Sequence, residues 1–489
     1  MSQMSRLGVV GAGPMGSGIA QIGLQAGLEV VLYDVDRAAL DKAAGSIFGF
    51  IEKLEGKGKL EAGVTEKARA SLTLAASTAD FAGCDAVIEA IIERLEPKQN
   101  LFAELEGVVG NDCILASNTS SLSIAAIAQG CKHKGRVCGL HFFNPVPLMQ
   151  LVEVIHAPAT SPAVVEAATA LSKQIGKTPV TVKDGPGFLV NLQGRALALE
   201  GLAVAQEQVA EPAVIDRIMR DGANFRMGPF ELMDLTGIDV NYAATTYIYE
   251  GYQHDPRLKT TTQHALMNDA GRYGRKTGTG FFEYEGHKGW PHSPAAPTEA
   301  PLLNPAIAGT GGRFEELAEA VGWEQGSDVT LIAPVGEDCA TACVRLKLDP
   351  RETVAIDFTA FDNRHLTVMA AIGGEALCKQ VGDWLRAGGF TVEVIADSPG
   401  FVLQRILGMI ANLGCELAQI GVGSPEDIDL AMKLAQNYPK GPIEIAEWLG
   451  VARTHEIMRQ LQEVTGSDRY RPSLWLRRRA QLGLSAYAS

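Results

Sequence analysis

Residues 7–20 read LGVVGAGPMGSGIA, and this stretch decides the fold of the N-terminal part of the chain. The apolar run Leu7–Val10 predicts a buried strand, and the apolar spacing that continues through Met15 predicts a helix after it. Three glycines in the pattern GxGxxG lie between strand and helix: Gly11, Gly13 and Gly16. The first permits a tight turn, the second lets a pyrophosphate approach the backbone, and the third lets helix pack on strand. The stretch therefore predicts dinucleotide binding.

An acidic residue after the second predicted strand strengthens this interpretation. That strand, Glu29–Tyr33, is followed by Asp34, about where a ribose-binding carboxylate is expected. Asp34 would accept hydrogen bonds from the adenosine ribose hydroxyls and would repel a 2′-phosphate. The pattern favours NAD over NADP, although Arg37 nearby leaves that preference open.

Helical and strand patterns alternate as far as residue 183, which predicts a doubly wound parallel sheet. Polar residues follow two predicted strands and end a third: Glu93 and Lys98 follow 86–89, Ser120 within SNTSS follows 113–117, and His141 ends 136–141. Ligands of open α/β sheets bind beyond the carboxyl ends of the strands. We therefore expect these polar groups to converge on one edge of the sheet.

The stretch HFFNPVPLMQLVE, residues 141–153, places a glutamate in an apolar segment shortly after a histidine. An unpaired buried charge is costly, so Glu153 needs a partner, and His141 is the obvious candidate. The alternative is a core histidine that a backbone carbonyl satisfies. The residues alone leave both interpretations open.

Composition excludes several classes of function. The formal net charge of −14 argues against nucleic acid or an anionic membrane surface as the main partner. The eight cysteines form no CxxC pair and follow no metal-ligand spacing, which predicts buried free thiols in a reduced cytoplasmic protein without a metal centre. The first strand begins too early for a cleaved signal sequence, and no apolar run is long enough to cross a bilayer.

The pattern changes after DGPGF, residues 184–188, to long helices without strands. An offset of 213 aligns this turn with DSPGF at residues 397–401, and 18 of the 54 positions from Asp184 to Gly237 are then identical. This predicts an internal duplication of a helical domain. Asn191 aligns with Gln404, so the second copy differs at that position.

These patterns predict an α/β plus all-α fold, with a Rossmann-type doubly wound sheet followed by a helical domain and its C-terminal duplicate. The predicted parts are a dinucleotide-binding domain 1–183, a helical domain 184–285, a linker 286–326, a degenerate α/β segment 327–396 and a second helical copy 397–489.

The chain resembles the L-3-hydroxyacyl-CoA dehydrogenase family. The resemblance rests on GAGPMGSGIA, VIEAIIERLEPKQNLF, ASNTSSLSI, GLHFFNPVPLMQLVEVI, DGPGFLVN, MGPFELMDLTGID and GRKTGTGFFEY, which are spread over residues 11–284. It departs from the family at Leu192, where an arginine usually follows the asparagine.

The resemblance implies a role for each candidate residue. His141 is implied as the catalytic base and Glu153 as its buried partner, with Ser120 and Asn191 hydrogen-bonding the substrate. The cofactor is implied to be NAD, bound by Gly11, Gly13, Met15, Gly16, Asp34, Glu93, Lys98 and Asn118. From spacing alone, Lys57 and Lys59 are expected to lie in a solvated loop. The resemblance instead implies that Lys57 contacts coenzyme A.

The implied reaction is oxidation of an L-3-hydroxyacyl-CoA by NAD. Chain length, the duplicated helical domain and the tail DRYRPSLWLRRRAQLGLSAY are most similar to family members that act on 3-hydroxyadipyl-CoA. The alternatives are 3-hydroxybutyryl-CoA as substrate, or a non-catalytic NAD-binding relative that has kept the fold. We further expect an internal pseudo-dimer, in which the second helical copy buries the apolar face that shorter relatives would bury against another chain.

Overall fold

The computed structural model describes residues 4–284, 293–297, 299 and 301–488. The predicted domain boundary at 285 and the first residues of the predicted linker, 286–292, lie outside the described residues. The chain divides into two compact units. The first comprises the chain as far as Val190 together with Gly421–Gln436, and the second comprises Asn191–Ile420 and the chain from Asn437 onwards.

The strands form one sheet in each unit. In chain order they are β1 Arg6–Val10, β2 Glu29–Tyr33, β3 Leu72–Leu74, β4 Ala86–Glu89, β5 Ile114–Ser117, β6 Val137–Phe142, β7 Leu151–His156, β8 Thr178–Lys183, β9 Ala306–Ile307, β10 Thr330–Ile332, β11 Thr353–Asp357, β12 His365–Met369 and β13 Thr391–Val394.

The helices cover the first sheet and make up most of the second unit. In chain order they are α1 Pro14–Gln25, α2 Arg37–Gly56, α3 Val64–Ser71, α4 Leu95–Glu106, α5 Ile124–Ile127, α6 Pro162–Gln174, α7 Val190–Gln193, α8 Arg195–Gln206, α9 Pro212–Arg217, α10 Pro229–Thr236, α11 Ile238–Gly251, α12 Thr262–Asp269, α13 Phe314–Val321, α14 Cys339–Leu346, α15 Glu375–Ala387, α16 Leu403–Gln419, α17 Pro425–Gln436, α18 Pro442–Leu449, α19 Val451–Thr465 and α20 Leu474–Leu482.

The first sheet has the strand order β3-β2-β1-β4-β5-β6-β7-β8. Its neighbouring strands run parallel except β6 and β7, which are antiparallel. Central strands such as Leu7–Val10 are buried, as continuous apolar runs in a parallel sheet require. The predicted Rossmann-type sheet with helical domains is confirmed. The short strand β3 and helix α3 had no clear sequence signal.

One helix of the second half belongs to the first unit. Helix α17 packs against β7 and β8, and the backbone N–H of Lys183 donates to the carbonyl of Val422 just before it, at 2.9 Å. The sequence placed residues 397–489 in a single helical domain. The pattern of α17 showed a helix but carried no information about which sheet it covers.

The second unit contains the other sheet, ordered β13-β12-β11-β10-β9. Strand β9 and helix α13 fall inside the segment that composition predicted to be a linker. Phe314 and Leu317 of α13 are buried in the core beside this sheet. The second sheet therefore begins earlier than the predicted boundary at 327, because a two-residue strand among Pro, Gly and Ala gives no periodic signal.

All eight cysteines are free and buried, as the sequence predicted. Within the described ranges no helix combines the length and the apolar character needed to cross a membrane.

Candidate active site

The glycine turn between β1 and α1 is packed too closely for side chains at two of its positions. A β-carbon on Gly11, whose φ is +108°, would lie 2.4 Å from the carbonyl oxygen of Ala90, and one on Gly16 would lie 1.8 Å from the carbonyl oxygen of Gly11. Gly13 differs, since a β-carbon there would meet no atom within 4 Å. Gly13 thus presents open backbone at the amino end of α1, where a helix favours phosphate.

Asp34 is tied directly to this turn. Its carboxylate accepts hydrogen bonds from the backbone N–H of Ala12 at 2.7 Å and of Asp36 at 2.9 Å. The carboxylate at the end of β2 is therefore held beside the glycine turn. That is the position that the ribose of a dinucleotide requires.

A buried polar cluster lies at the carboxyl ends of β4 and β5. Lys98 donates to Glu89 at 2.5 Å, and the hydroxyl of Ser117 donates to the other oxygen of the same carboxylate at 2.7 Å. All three side chains are almost completely buried. Sequence reasoning missed Glu89, although an acid that ends an apolar strand is the same signal that drew attention to Glu153.

Glu93 forms hydrogen bonds with several residues of the loop that follows β5. It accepts hydrogen bonds from the Thr119 hydroxyl at 2.6 Å and from the backbone N–H of Ser120 at 3.0 Å, and it lies 3.2 Å from the Lys98 ammonium. Burial raises the pKa of Glu93, but these hydrogen bonds and the lysine charge outweigh it, so the pKa lies below its usual value. Glu93 is therefore a structural anchor for the SNTSS loop as well as a candidate cofactor contact.

Asn118 connects this loop to the next strand. Its side-chain oxygen accepts a hydrogen bond from the backbone N–H of Phe142 at 2.9 Å. The loop after β5 is thereby fixed to the residue that directly follows His141.

His141 and Glu153 form the pair that the sequence left open. They lie opposite each other in the antiparallel pairing of β6 and β7, and Nδ1 of His141 is 2.6 Å from Oε2 of Glu153. Glu153 is completely buried, and His141 is 6% exposed. The aromatic rings of Phe143 and Phe188 flank the imidazole.

The second oxygen of Glu153 is also held. Oε1 accepts hydrogen bonds from the backbone N–H groups of Leu189 at 3.0 Å and Val190 at 2.9 Å. The carboxylate cannot turn away without losing these bonds, so it fixes Nδ1 of His141 and leaves Nε2 for another partner.

Not every candidate residue belongs to this arrangement. Asn191 lies in α7 but is part of the second compact unit. Lys57 is exposed at the carboxyl end of α2, and the side chain of Met15 is partly buried against the core of the first unit. The first unit brings together the glycine turn with Asp34, the loop residues around Glu93, and the His141–Glu153 pair.

Two family descriptions match the chain. The NAD-binding domain of 3-hydroxyacyl-CoA dehydrogenase matches residues 6–185, and the C-terminal domain of the same enzyme matches residues 187–284 and again residues 400–488. The chain belongs to the 3-hydroxyacyl-CoA dehydrogenase family. It is accordingly an NAD-dependent dehydrogenase, and an acyl-CoA thioester is its class of substrate.

Similar proteins are found both along the whole chain and along its first part. A 3-hydroxyadipyl-CoA dehydrogenase of Escherichia coli K12 is 37% identical over 99% of this chain and 98% of its own length. A probable 3-hydroxybutyryl-CoA dehydrogenase of Deinococcus radiodurans is 41% identical over 57% of this chain and all of its own. The crystal structure of a 3-hydroxybutyryl-CoA dehydrogenase from Escherichia coli K12 matches with a TM-score of 0.89 at 36% identity, over 98% of this chain and 99% of that one.

The residues of this dehydrogenase fit the cofactor that its family uses. The open backbone at Gly13 can accept a pyrophosphate, and Asp34 is fixed where ribose hydroxyls would meet it. The fit rests on the geometry of the turn and the chemistry of the carboxylate.

Proposed function

We propose that this dehydrogenase oxidises L-3-hydroxyacyl-CoA with His141 as the base and Glu153 as its partner. The observation that supports this assignment is the buried contact of 2.6 Å between Nδ1 of His141 and Glu153. A structural histidine would need only a carbonyl acceptor. A fully buried carboxylate is costly to maintain, and it is better suited to stabilising an imidazolium.

The proposed chemistry follows from the free nitrogen of the ring. When the hydroxyl carbon of the substrate is oxidised, Nε2 of His141 takes the hydroxyl proton, and imidazole is well matched to that task near neutral pH. Glu153 stabilises the positive charge that the ring acquires, and the N–H groups of Leu189 and Val190 keep the carboxylate in place. NAD, when bound, supplies the hydride acceptor.

The other candidate residues keep the roles that the resemblance implies. We infer that Ser120 and Asn191 orient the substrate oxygen. The residues proposed to bind the cofactor are Gly11, Gly13, Met15, Gly16, Asp34, Glu93, Lys98 and Asn118. Lys57 is proposed to contact coenzyme A, which agrees with its exposure at the end of α2.

We propose 3-hydroxyadipyl-CoA as the substrate, because the relative of that name matches almost the whole chain, including the second half. A short-chain substrate is the second candidate. It is favoured by the similarity to the crystal structure of a 3-hydroxybutyryl-CoA dehydrogenase, which matches over a similar length.

The test is a spectrophotometric assay of NADH formation with L-3-hydroxyadipyl-CoA and L-3-hydroxybutyryl-CoA side by side. We expect the higher kcat/KM with the dicarboxylic substrate. A higher value with 3-hydroxybutyryl-CoA would favour the second candidate, and no NADH with either would contradict the proposed substrate range.

Cofactor preference can be measured in the same assay. Asp34 should reject NADP through charge repulsion and through loss of its ribose hydrogen bonds, so kcat/KM should be much higher with NAD. Comparable values with the two cofactors would show that Asp34 does not act in this way.

A further inference from the structure

The second unit contains a cavity that the proposed reaction does not use. It has a volume of about 730 Å³ and is formed by the carboxyl end of α16, by α19, and by the turn that leads into α20. Its polar lining includes Gln419, His455, Gln462, Arg471, Arg477 and Gln481. The volume is within the range of about 300–1,000 Å³ that is usual for small-molecule sites.

Two arginines give the cavity an excess of positive charge. Within the part of the chain that the structure describes, no hydrogen bond or ion pair is formed by the guanidinium of Arg471 or Arg477. The excess belongs to the lining itself, where Glu416 is one carboxylate against three arginines. Around it, Glu416 and Asp255 share Arg257, Glu456 and Glu463 share Arg459, and the Asp255 charge also acts on Arg471.

His455 lines the cavity as a neutral imidazole. Burial lowers the pKa of His455, the Glu456 charge opposes this shift, and the charges of Arg477 and Arg459 add to it. A neutral imidazole can donate or accept one hydrogen bond at each nitrogen without adding to the repulsion between the arginines.

The first helical copy forms hydrogen bonds at the position that is equivalent to Gln419 of the cavity. Gln206 aligns with Gln419 under the offset of 213, and its side-chain oxygen accepts from the backbone N–H of Thr262 at 3.0 Å and from the hydroxyl of the same residue at 2.9 Å. Among the described residues Gln419 makes no such bond.

The two copies also differ in the helix that Thr262 begins in the first copy, α12, and in its counterpart in the second copy, α20. Thr261 caps α12 and Ser473 caps α20 in the same way. Alignment of these two caps places Arg477 opposite Ala265 and Arg471 opposite Lys259. The second copy therefore lacks the hydrogen bonds that Gln206 forms with Thr262 in the first copy. It also has Arg477 where α12 of the first copy has Ala265.

We propose that this cavity binds a phosphorylated small molecule. Arg471 and Arg477 bind the phosphate, since a planar guanidinium can donate two parallel hydrogen bonds to phosphate oxygens. His455 and the three glutamines contact the rest of the molecule. This site goes beyond the proposed dehydrogenase function and does not depend on it.

The experiment is isothermal titration of the full-length protein with inorganic pyrophosphate. Saturating NADH is present so that the dinucleotide site is occupied, and the ionic strength is near physiological. We expect one saturable site per chain. In the variant Arg471→Gln with Arg477→Gln the affinity should fall by at least about tenfold, because two charge-assisted contacts are lost.

Arg478→Gln is the matched control. Arg478 is an exposed neighbour on α20 that does not line the cavity, so its removal takes away one of the two charges that the double variant loses and should change affinity by less than about twofold. The dehydrogenase rate of both variants should equal that of the parent, which shows that they are folded. The proposal is wrong if pyrophosphate does not saturate, if the control loses as much affinity as the double variant, or if succinate binds as tightly as pyrophosphate.

Discussion

The two sheets of this protein end in the same three-strand arrangement but carry different side chains. In the first unit β6 and β7 are antiparallel and β8 runs parallel to β7, and the same relations connect β11, β12 and β13 in the second unit. His141 lies opposite Glu153 in the first pairing, and Asp357 lies opposite Thr367 in the second.

The equivalence of these positions is supported by the neighbouring strand. Glu153 pairs with Val180, Thr367 pairs with Glu393, and the offset of 213 aligns Val180 with Glu393. Asp357 is buried, and one of its oxygens accepts hydrogen bonds from Gln404 at 3.0 Å and from the Thr359 hydroxyl at 2.6 Å. The second sheet has therefore kept the backbone frame, but it has Asp357 and Thr367 where the first has the proposed base His141 and its partner Glu153.

The strongest test of this difference replaces the two equivalent residues in turn. His141→Gln should lower turnover by at least about 100-fold, because a general base typically contributes that much or more. NADH affinity should hardly change, since the glycine turn is proposed to hold the cofactor phosphates. Asp357→Asn is the control and should leave turnover within about twofold; stopped-flow and steady-state NADH absorbance measure both. More than about a tenth of the parent activity in His141→Gln would contradict its assignment as the base.

The next test compares Asn191 with Gln404, which are equivalent under the same offset. Asn191→Ala should lose roughly 2 to 4 kcal/mol of transition-state stabilisation, as removal of a hydrogen-bond donor at a developing charge usually does. Gln404 instead holds the backbone N–H of Gly336 and the Asp357 carboxylate. Gln404→Ala should therefore lower stability but leave kcat within about twofold.

NADH titration completes this comparison, because only the first half has the glycine turn. One equivalent per chain is expected at saturation. Two equivalents, or equal losses of kcat in the two variants, would mean that the second half contains a working site.

A third test concerns the ion pair that the two helical copies do not share. Arg405 follows Gln404 and is fully buried, with its Nε 2.5 Å from Glu200. At the equivalent positions the chain has Leu192 and Leu413, both buried. The arginine missing from the first copy is thus present in the second, and it pairs with Glu200 of the first copy, whereas the second copy has Leu413 at the position of Glu200.

Arg405→Leu should lower the free energy of unfolding by roughly 3 kcal/mol, the lower end for a broken buried pair, because Glu200 keeps Arg469 at 2.8 Å and the Tyr470 hydroxyl at 2.9 Å. The double variant Arg405→Leu with Glu200→Leu should be less stable still, since it also removes the carboxylate that pairs with Arg469. Denaturant unfolding monitored by circular dichroism measures both. A double variant at least as stable as Arg405→Leu would show that the pairing of Glu200 with Arg469 does not stabilise the fold. We propose that this pair helps the two copies act as an internal pseudo-dimer.

The sequence predicted those features that depend on short patterns. The glycine turn, Asp34 and the duplicated helices could be recognised because a fixed spacing carries each of them. The partner of His141 could only be suspected, since the register of β6 against β7 decides which residue faces it. The place of α17 and the start of the second sheet at β9 were missed, because they depend on tertiary contacts that leave no periodic pattern. Glu89 was overlooked although it ends an apolar strand, and its partners Lys98 and Ser117 come from other elements, so the sequence could not name them.

The smallest expected effect concerns a lysine that only the first sheet has. Lys177 lies just before β8, and the offset of 213 aligns it with Phe390, which lies just before β13. The Lys177 ammonium is buried and donates to the carbonyls of Val146 at 2.5 Å and Met149 at 2.7 Å. It therefore fixes the loop that connects His141 to β7.

Burial lowers the pKa of Lys177 from 10.5 to about 8. Between these two pH values the unfolded chain binds a proton that the folded chain has lost, so stability should rise as pH increases from about 8 to about 10.5. A shift of this size corresponds to at most roughly 3 kcal/mol. Because cysteines and tyrosines also titrate in this range, the measured quantity is the difference in free energy of unfolding between the parent and Lys177→Met. That difference should change in favour of the parent across the window, and a difference that stays constant with pH would show that Lys177 keeps its proton in the folded protein.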